Sequence, residues 1–151
     1  MNFPVGKVVS KGAMPLSLVD LLEQCDQKKF NGYVIVSVLG NFVEEGVLFF
    51  RVGEVYACCV ECMSVKKLIK GDDAFNYFLK QSRGNGFFHL IELSRSQVDL
   101  VTAFDDKLLL VNKIPLKDIP KMIPDVYEPQ FVEEVVESEL DLDKYGLGEL
   151  K

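Results

Sequence analysis

The sequence predicts an α+β domain, with helices packed on an antiparallel meander sheet of about four strands. Residues 47–52 and 55–62 are rich in β-branched and aromatic side chains and flank the short turn Gly53-Glu54, a pattern typical of a β-hairpin. Helix and strand patterns follow in the order α-β-β-β-α-β-α, and the short connections between the strands favour a meander. The chain is 48% apolar and contains eleven phenylalanines, enough to build a core between helices and sheet.

The hairpin is the expected centre of the sheet. Because side chains on a strand alternate between the two faces, four residues of its second strand should share one face: Tyr56, Cys58, Val60 and Cys62. By the same rule, three residues of its first strand should share a face: Leu48, Phe50 and Val52.

Three helices are expected around the sheet. The first begins at Ser17 and ends before Asn31-Gly32, where glycine accepts the left-handed turn that closes helices. The second is capped by Asp72 and extends to about residue 82. Ser94 followed by Gln97 forms a capping-box pattern that opens the third. The apolar stripe expected on this third helix is Leu100, Val101, Phe104 and Leu108.

The remaining strands are expected at residues 33–39 and 87–93. Residues 1–14 contain Pro4, Gly6 and Gly12 and are interpreted as an irregular arm, and residues 64–70 as one helical turn. Several strands are apolar on both faces, whereas a sheet with one solvated face would alternate more cleanly. Either helices cover both faces, or one face is a subunit interface, which would make the chain a homodimer.

The character of the chain changes after residue 111. Prolines recur at positions 115, 120, 124 and 129 and favour an extended linker over residues 112–129, after a domain of residues 1–111. Residues 130–151 form an acidic tail. Its expected apolar stripe is Phe131, Val132, Val135, Val136 and Leu140. The stripe could fold back on the domain, bind a groove of a partner, or be disordered.

Charge is concentrated in this tail. Residues 125–151 hold nine acidic residues and two lysines, a net charge of −7, within a chain of net charge −6. The acidic pI near 4.8 disfavours nucleic-acid binding, which usually needs a basic surface. No apolar run is long enough to span a bilayer. The N-terminus lacks a signal-peptide pattern, so a cytoplasmic location with reduced cysteines is expected.

The cysteines are the most specific chemical signal. Cys59 and Cys62 form a C-x-x-C motif next to Cys58, and Cys25 and His89 could supply further ligands to a metal. On a strand, however, Cys59 and Cys62 face opposite sides, and Cys58 and Cys62 stand roughly 13 Å apart at about 3.3 Å per residue. Buried cysteines that pack as small apolar residues are therefore preferred over a metal site.

No catalytic or cofactor-binding motif is present in the sequence. His89 is the only histidine and shares a strand face with Phe87 and Ile91, as a core or edge histidine does. Active sites normally require several convergent titratable groups. We therefore expect neither an enzyme nor a bound cofactor.

The chain resembles an archaeal family of domains of unknown function that is similar to the PATAN domain, the N-terminal part of a cyanobacterial response regulator. The resemblance covers about residues 3–110, including the segments FNGYVIV, EEGVLFFRVGEVYAC and KGDDAFNYFL. The matched positions of its signature are Gly46, Leu48, Phe49, Phe50, Gly53, Val55, Ala57, Gly71, Asp72, Asp73 and Ala74. These are turn, cap and core residues, so the resemblance implies a shared fold and the role of a regulatory adaptor in signalling or GTPase-linked systems.

The sequence thus favours a non-catalytic cytoplasmic interaction module that binds a protein partner through its sheet face or its acidic tail. The tail's charge would select a basic partner surface. The alternative is a small-ligand or metal sensor that uses the region of Cys58, Cys59 and Cys62 together with His89.

Overall fold

The computed structural model describes residues 3–40 and 42–127 and shows an α+β fold with a six-stranded antiparallel sheet. The strand order across the sheet is β1-β6-β2-β3-β4-β5. The strands are β1 (Lys7–Ala13), β2 (Gly32–Leu39), β3 (Val43–Arg51), β4 (Glu54–Cys62), β5 (Lys67–Lys70) and β6 (Gly86–Glu92). The expected hairpin is β3–β4 and lies inside the sheet, with β2 and β5 on its two sides.

The expectation of about four strands was wrong because both edge strands were missed. β1 replaces the expected irregular arm and pairs with β6, and β5 replaces the expected helical turn and pairs with β4. Most side chains of both strands are exposed or half-buried, so neither carries the alternation of apolar and polar residues that marks a half-buried strand. Their pairing is decided by the neighbouring strand rather than by their own composition.

Two α-helices cover the first face of the sheet: α1 (Leu18–Lys28) and α2 (Asp72–Gln81). Their apolar sides pack on alternate residues of the central strands, such as Val36, Leu48 and Cys58. A 3-10 helix, Leu116–Met122, adds the buried Ile119 to the same core.

Helix α2 begins one residue earlier than expected. Its N-cap is Gly71, and Asp72 is the first helical residue. The Asp72 carboxylate accepts hydrogen bonds from the backbone N–H groups of Val111 (3.0 Å) and Asn112 (3.2 Å). Asp72 therefore fixes the chain that follows the third helix instead of capping its own.

The second face of the sheet is covered only in part, by α3 (Arg95–Ala103) and a 3-10 turn, Asp106–Leu108. Val98, Val101 and Leu108 pack here on side chains such as Phe49. The capping box of Ser94 and Gln97 is confirmed. The expected stripe is only partly correct, because Leu100 is 47% exposed and Phe104 is 87% exposed, while Leu108 belongs to the separate 3-10 turn.

A β-bulge in the hairpin moves one aromatic side chain to the opposite face. Phe49 pairs with Ala57 and Phe50 pairs with Val55, so Tyr56 is an extra residue on β4. Tyr56 joins the core of the second face, whereas Cys58 and Val60 belong to the core of the first. The expectation that Tyr56 shares a face with these two residues was wrong because a bulge interrupts the two-residue period.

The chain continues over the first face after α3. Residues 112–127, part of the expected linker, include the 3-10 helix that packs against α1, and Arg83 Nε donates to the Pro124 carbonyl at 3.2 Å. The acidic tail, residues 130–151, lies outside the described residues. Within the described ranges, no helix combines the length and hydropathy needed to cross a bilayer.

Candidate functional site

The most distinctive surface of the molecule is the part of the second face that α3 leaves uncovered. Four large apolar side chains lie there on four different strands and are between 41% and 50% exposed: Leu39, Val43, Leu68 and Phe87. We call these four residues the open face. The two helical elements after β6 contribute Val98, Val101 and Leu108 to the core of the second face, and none of the four open-face residues belongs to that core.

The strand register places these residues on one surface. Across the sheet, Phe87 pairs with Ser37, Ser37 with Glu45, Glu45 with Glu61, and Glu61 with Leu68. Directly paired residues of an antiparallel sheet point to the same side. Leu39 and Val43 form the next paired row, beyond Ser37 and Glu45.

Two carboxylates stand at the centre of the open face. Glu45 and Glu61 are direct cross-strand partners, and such partners have Cβ atoms about 5 Å apart. Both side chains are half-buried. Like charges directly opposite each other on a sheet are destabilising, and Glu61 has a further interaction within the described part of the chain.

An apolar cleft adjoins the open face at Leu68. It has a volume of about 450 Å³ and lies between β5 and the end of α3. Leu100 and Phe104 form its outer wall, and Phe104 is exposed over 87% of its surface. At the floor, the ammonium group of Lys70 is bound by the Asp105 carboxylate, which lowers the pKa of Asp105 through the hydrogen bond. The cleft therefore adjoins the open face at Leu68, and its lining combines apolar side chains with the Lys70–Asp105 ion pair.

The cysteine motif is divided between the two cores. Cys58 and Cys62 lie on the first face and Cys59 lies on the second, and all three are fully buried. His89 is half-buried on the second face, where the paired row places Ile35 and Val47 between it and Cys59. Over residues 3–40 and 42–127, no three His, Cys, Asp or Glu side chains are grouped to hold a metal ion.

Burial also makes three of the thiols poor nucleophiles. It raises the pKa of Cys25 to about 11, with a smaller opposing effect of Lys28, and raises that of Cys59 to about 12. The pKa of Cys58 is raised well above its usual value for the same reason. Because the thiolate is the reactive form, these side chains are neutral packing residues near neutral pH.

A buried polar cluster that sequence analysis missed lies on the first face. The Glu44 side chain is 2% exposed, and its carboxylate accepts hydrogen bonds from Tyr77 Oη (3.1 Å), Gln81 Nε2 (3.1 Å) and Tyr127 Oη (2.7 Å). Burial raises the pKa of Tyr127, and the hydrogen bond to Glu44 acts in the same direction. Glu45, the next residue on β3, is half-buried on the opposite face. In the sequence, only the alternation of side chains along a strand indicated that these two carboxylates face opposite sides.

The cluster anchors the last described residues to the domain. Tyr127 is 83 positions from Glu44 in the chain, and its phenol also contacts the Tyr77 phenol at 3.2 Å. The predicted partner-binding residues, Phe131 to Leu140, begin just beyond this anchor and lie outside the described residues. Their role stays a prediction.

Comparison with known proteins assigns the family. A model of a family described as uncharacterised proteins conserved in archaea, DUF2226, matches residues 1–105. The chain belongs to the DUF2226 family. The expected membership of an archaeal family of unknown function is therefore confirmed. No curated protein and no solved structure matches this DUF2226 chain.

The family match covers every strand of the sheet and all of α3. It therefore includes the open face, the paired carboxylates and the buried Glu44. It ends before the 3-10 helix Leu116–Met122 and before Tyr127.

Proposed function

We propose that this DUF2226 protein is a non-catalytic interaction module that binds a protein partner through the open face. The observation that supports this proposal is the set of four apolar side chains, 41–50% exposed, on one continuous sheet surface. Large apolar side chains that are partly exposed on one sheet surface, here around Ser37, Glu45 and Glu61, are typical of an interaction site. The adjoining cleft, with the exposed Phe104, extends the surface available to a partner.

The resemblance to PATAN domains agrees with this role. It suggests a regulatory adaptor, acting in the cytoplasm within a signalling or GTPase-linked system, although a fold by itself does not fix a function. In this proposal the acidic tail is a second contact that follows the Tyr127 anchor. A homodimer is the competing use of the same face, because an uncovered sheet face can pair with its own copy.

The test uses a double variant of the open face, Leu68→Ser with Phe87→Ser. Both side chains are partly exposed and lie on strands at or next to the sheet edges, so the variant should fold. The control is Val5→Ser with Val111→Ser, which removes two apolar side chains, 87% and 84% exposed, from outside the open face.

Tagged full-length protein and both variants are used to recover partners from an archaeal lysate, with quantification by mass spectrometry. We expect at least one protein to be recovered by the wild type and the control and lost with the open-face variant. Light scattering on the same samples measures homodimer formation. Recovery of the same proteins by all three forms, with every form monomeric, would contradict the proposal.

A further inference from the structure

We propose that the chain's own acidic tail covers the open face, through the expected apolar stripe between Phe131 and Leu140, until a partner displaces it. The inference rests on the proposed function and adds a regulation of the same site, because the tail and the partner compete for one surface. It is carried by the place where the described chain ends, which is next to three of the four open-face residues.

Tyr127, the last described residue, lies at one end of the sheet on the first face. Its phenol donates to the Glu44 carboxylate at 2.7 Å. Its ring lies against Gly84, where an added Cβ atom would be 3.5 Å from Tyr127 Cδ1 and 2.8 Å from Val38 Cγ1. Val38 is next to the last residue of β2, and Gly84 comes two residues before β6. The described chain therefore stops where β2 ends and β6 begins.

Three open-face residues lie at this same end of the sheet, on the second face. Leu39 and Val43 are chain neighbours of the two strand residues near Tyr127, and Phe87 follows Gly84 by three positions. Neighbouring residues of a strand face opposite sides. The tail thus leaves the first face within the thickness of one sheet from the rim of the open face.

The tail is long enough to pass around this end of the sheet. Four residue steps separate Tyr127 from Phe131 and span about 13–14 Å when extended, whereas a layer packed on a sheet lies about 10 Å from it. As a helix, residues 131–140 would be about 15 Å long. Because strands are about 4.8 Å apart, the stripe could cross about three strands from the rim toward Leu68.

The charges of the tail do not oppose this placement. At 100° per residue, Glu133, Glu134 and Glu137 fall on the side of a helix opposite the stripe. Docking would bury the apolar side and leave these carboxylates in solvent, away from Glu45. Apolar contact of this kind should persist in high salt, whereas attraction between exposed charges weakens.

The short connection also favours a chain's own tail over that of a second copy. A segment tethered by a few residues has an effective concentration of about millimolar at its site. Occupancy then regulates the partner: a face that is covered about nine-tenths of the time binds about tenfold more weakly than an open one. The displaced tail becomes available as the second contact.

The experiment places a reporter in the tail of the full-length protein. The chain contains no tryptophan, so Phe131→Trp reports on this position alone. We expect blue-shifted emission and protection from acrylamide, at low and high salt alike. Leu39→Ser with Phe87→Ser, the rim variant, should shift the emission to that of an exposed tryptophan. The control Val5→Ser with Val111→Ser, outside the open face, should leave the emission unchanged.

A second variant leaves the domain untouched. Val132→Ser with Val135→Ser, the stripe variant, should also expose the reporter, and it keeps every charge of the tail. In the partner experiment, the stripe variant should recover more of the proteins that are lost with the open-face variant. Thermal unfolding verifies that every variant is folded. A dilution series separates docking within one chain, which is independent of concentration, from docking between copies.

Several outcomes would overturn the inference. They are a reporter that is exposed in the otherwise wild-type protein, a shielded reporter that the rim variant does not release, and shielding that is lost on dilution, which would assign the face to a second copy's tail. Equal recovery of partners by the stripe variant and the wild type would reject competition. The proposed function is tested separately: with an exposed reporter and partners still lost by the open-face variant, the open face remains an interaction site without a cover.

Discussion

At Gly46 the packing of the first face leaves no room for a side chain. A Cβ atom at this position would lie 2.1 Å from Gln81 Oε1 and 2.8 Å from Phe78 Cδ2. Both side chains are fully buried, and Gln81 is held by its hydrogen bond to Glu44. The glycine is therefore required by close approach of α2 to β3.

Substitution of Gly46 tests this conclusion. We expect Gly46→Ala to lower the free energy of unfolding by about 1–3 kcal/mol, because overpacking a dense core displaces its side chains. Gly40→Ala is the control, since its Cβ would meet only the Phe42 carbonyl oxygen at 3.9 Å. Urea unfolding gives both values, and equal effects of the two changes would contradict the packing argument.

The Glu44 cluster makes a second prediction for a single residue. Tyr127→Phe removes the shortest donor to a carboxylate that is 2% exposed. Leaving a buried acceptor with fewer donors costs about 1–3 kcal/mol, so urea unfolding should show a loss of that size. Tyr33→Phe removes only a 3.4 Å hydrogen bond to the Pro4 carbonyl and should have little effect. A Tyr127→Phe protein as stable as the Tyr33→Phe protein would show that the last described residues are not anchored by Glu44.

At the scale of elements, a serine precedes both α1 and α3, but only the serine before α3 caps its helix with its side chain. The Ser94 hydroxyl accepts a hydrogen bond from the Gln97 backbone N–H at 3.2 Å, and Gln97 Oε1 accepts one from the Ser94 N–H at 2.9 Å. Ser17 precedes α1 but makes no capping hydrogen bond from its side chain and donates instead to the Asp20 carboxylate.

This difference gives a matched pair of substitutions. Ser94→Ala should lower the free energy of unfolding by about 1 kcal/mol, the usual cost of losing an N-cap, while Ser17→Ala should cost less. Thermal unfolding of both variants measures the difference. A larger effect of Ser17→Ala would mean that the contact with Asp20, and not capping, dominates at these helix starts.

The elements also show how far the sequence alone could go. The central strands and the helices show strong hydrophobic periodicity and have characteristic turn or cap residues. The predicted order α-β-β-β-α-β-α therefore agrees with the observed order of these elements when β1 and β5 are left out. Those two strands, and the bulge at Tyr56, depend on pairing with a neighbour, which no local pattern encodes. Strands that are apolar on both sides indicated that one sheet face could be an interface. The position of the open face could not be predicted, because it depends on where α3 ends on the sheet.

At the scale of the whole molecule, the two cores bury ionisable groups in neutral form, and this couples folding to alkaline pH. Burial raises the pKa of Cys59 and Tyr56 to about 12 and that of Cys25 to about 11. In unfolded chains thiols ionise near pH 8.5 and phenols near pH 10. Above those values the unfolded state loses protons that the folded state keeps, so rising pH favours unfolding.

We therefore expect the free energy of unfolding to be fully retained below about pH 8.5 and to fall as pH rises toward 12. Each group that ionises only in the unfolded state contributes a slope of about 1.4 kcal/mol per pH unit. Urea unfolding between pH 7 and 10.5, with a reductant present, measures the slope. In the variant Cys25→Ala with Cys59→Ala, two such groups are removed, so the decline should be shallower even though the protein is less stable at pH 7. Parallel declines of wild type and variant would show that these thiols ionise equally in both states and are not shielded by the two cores.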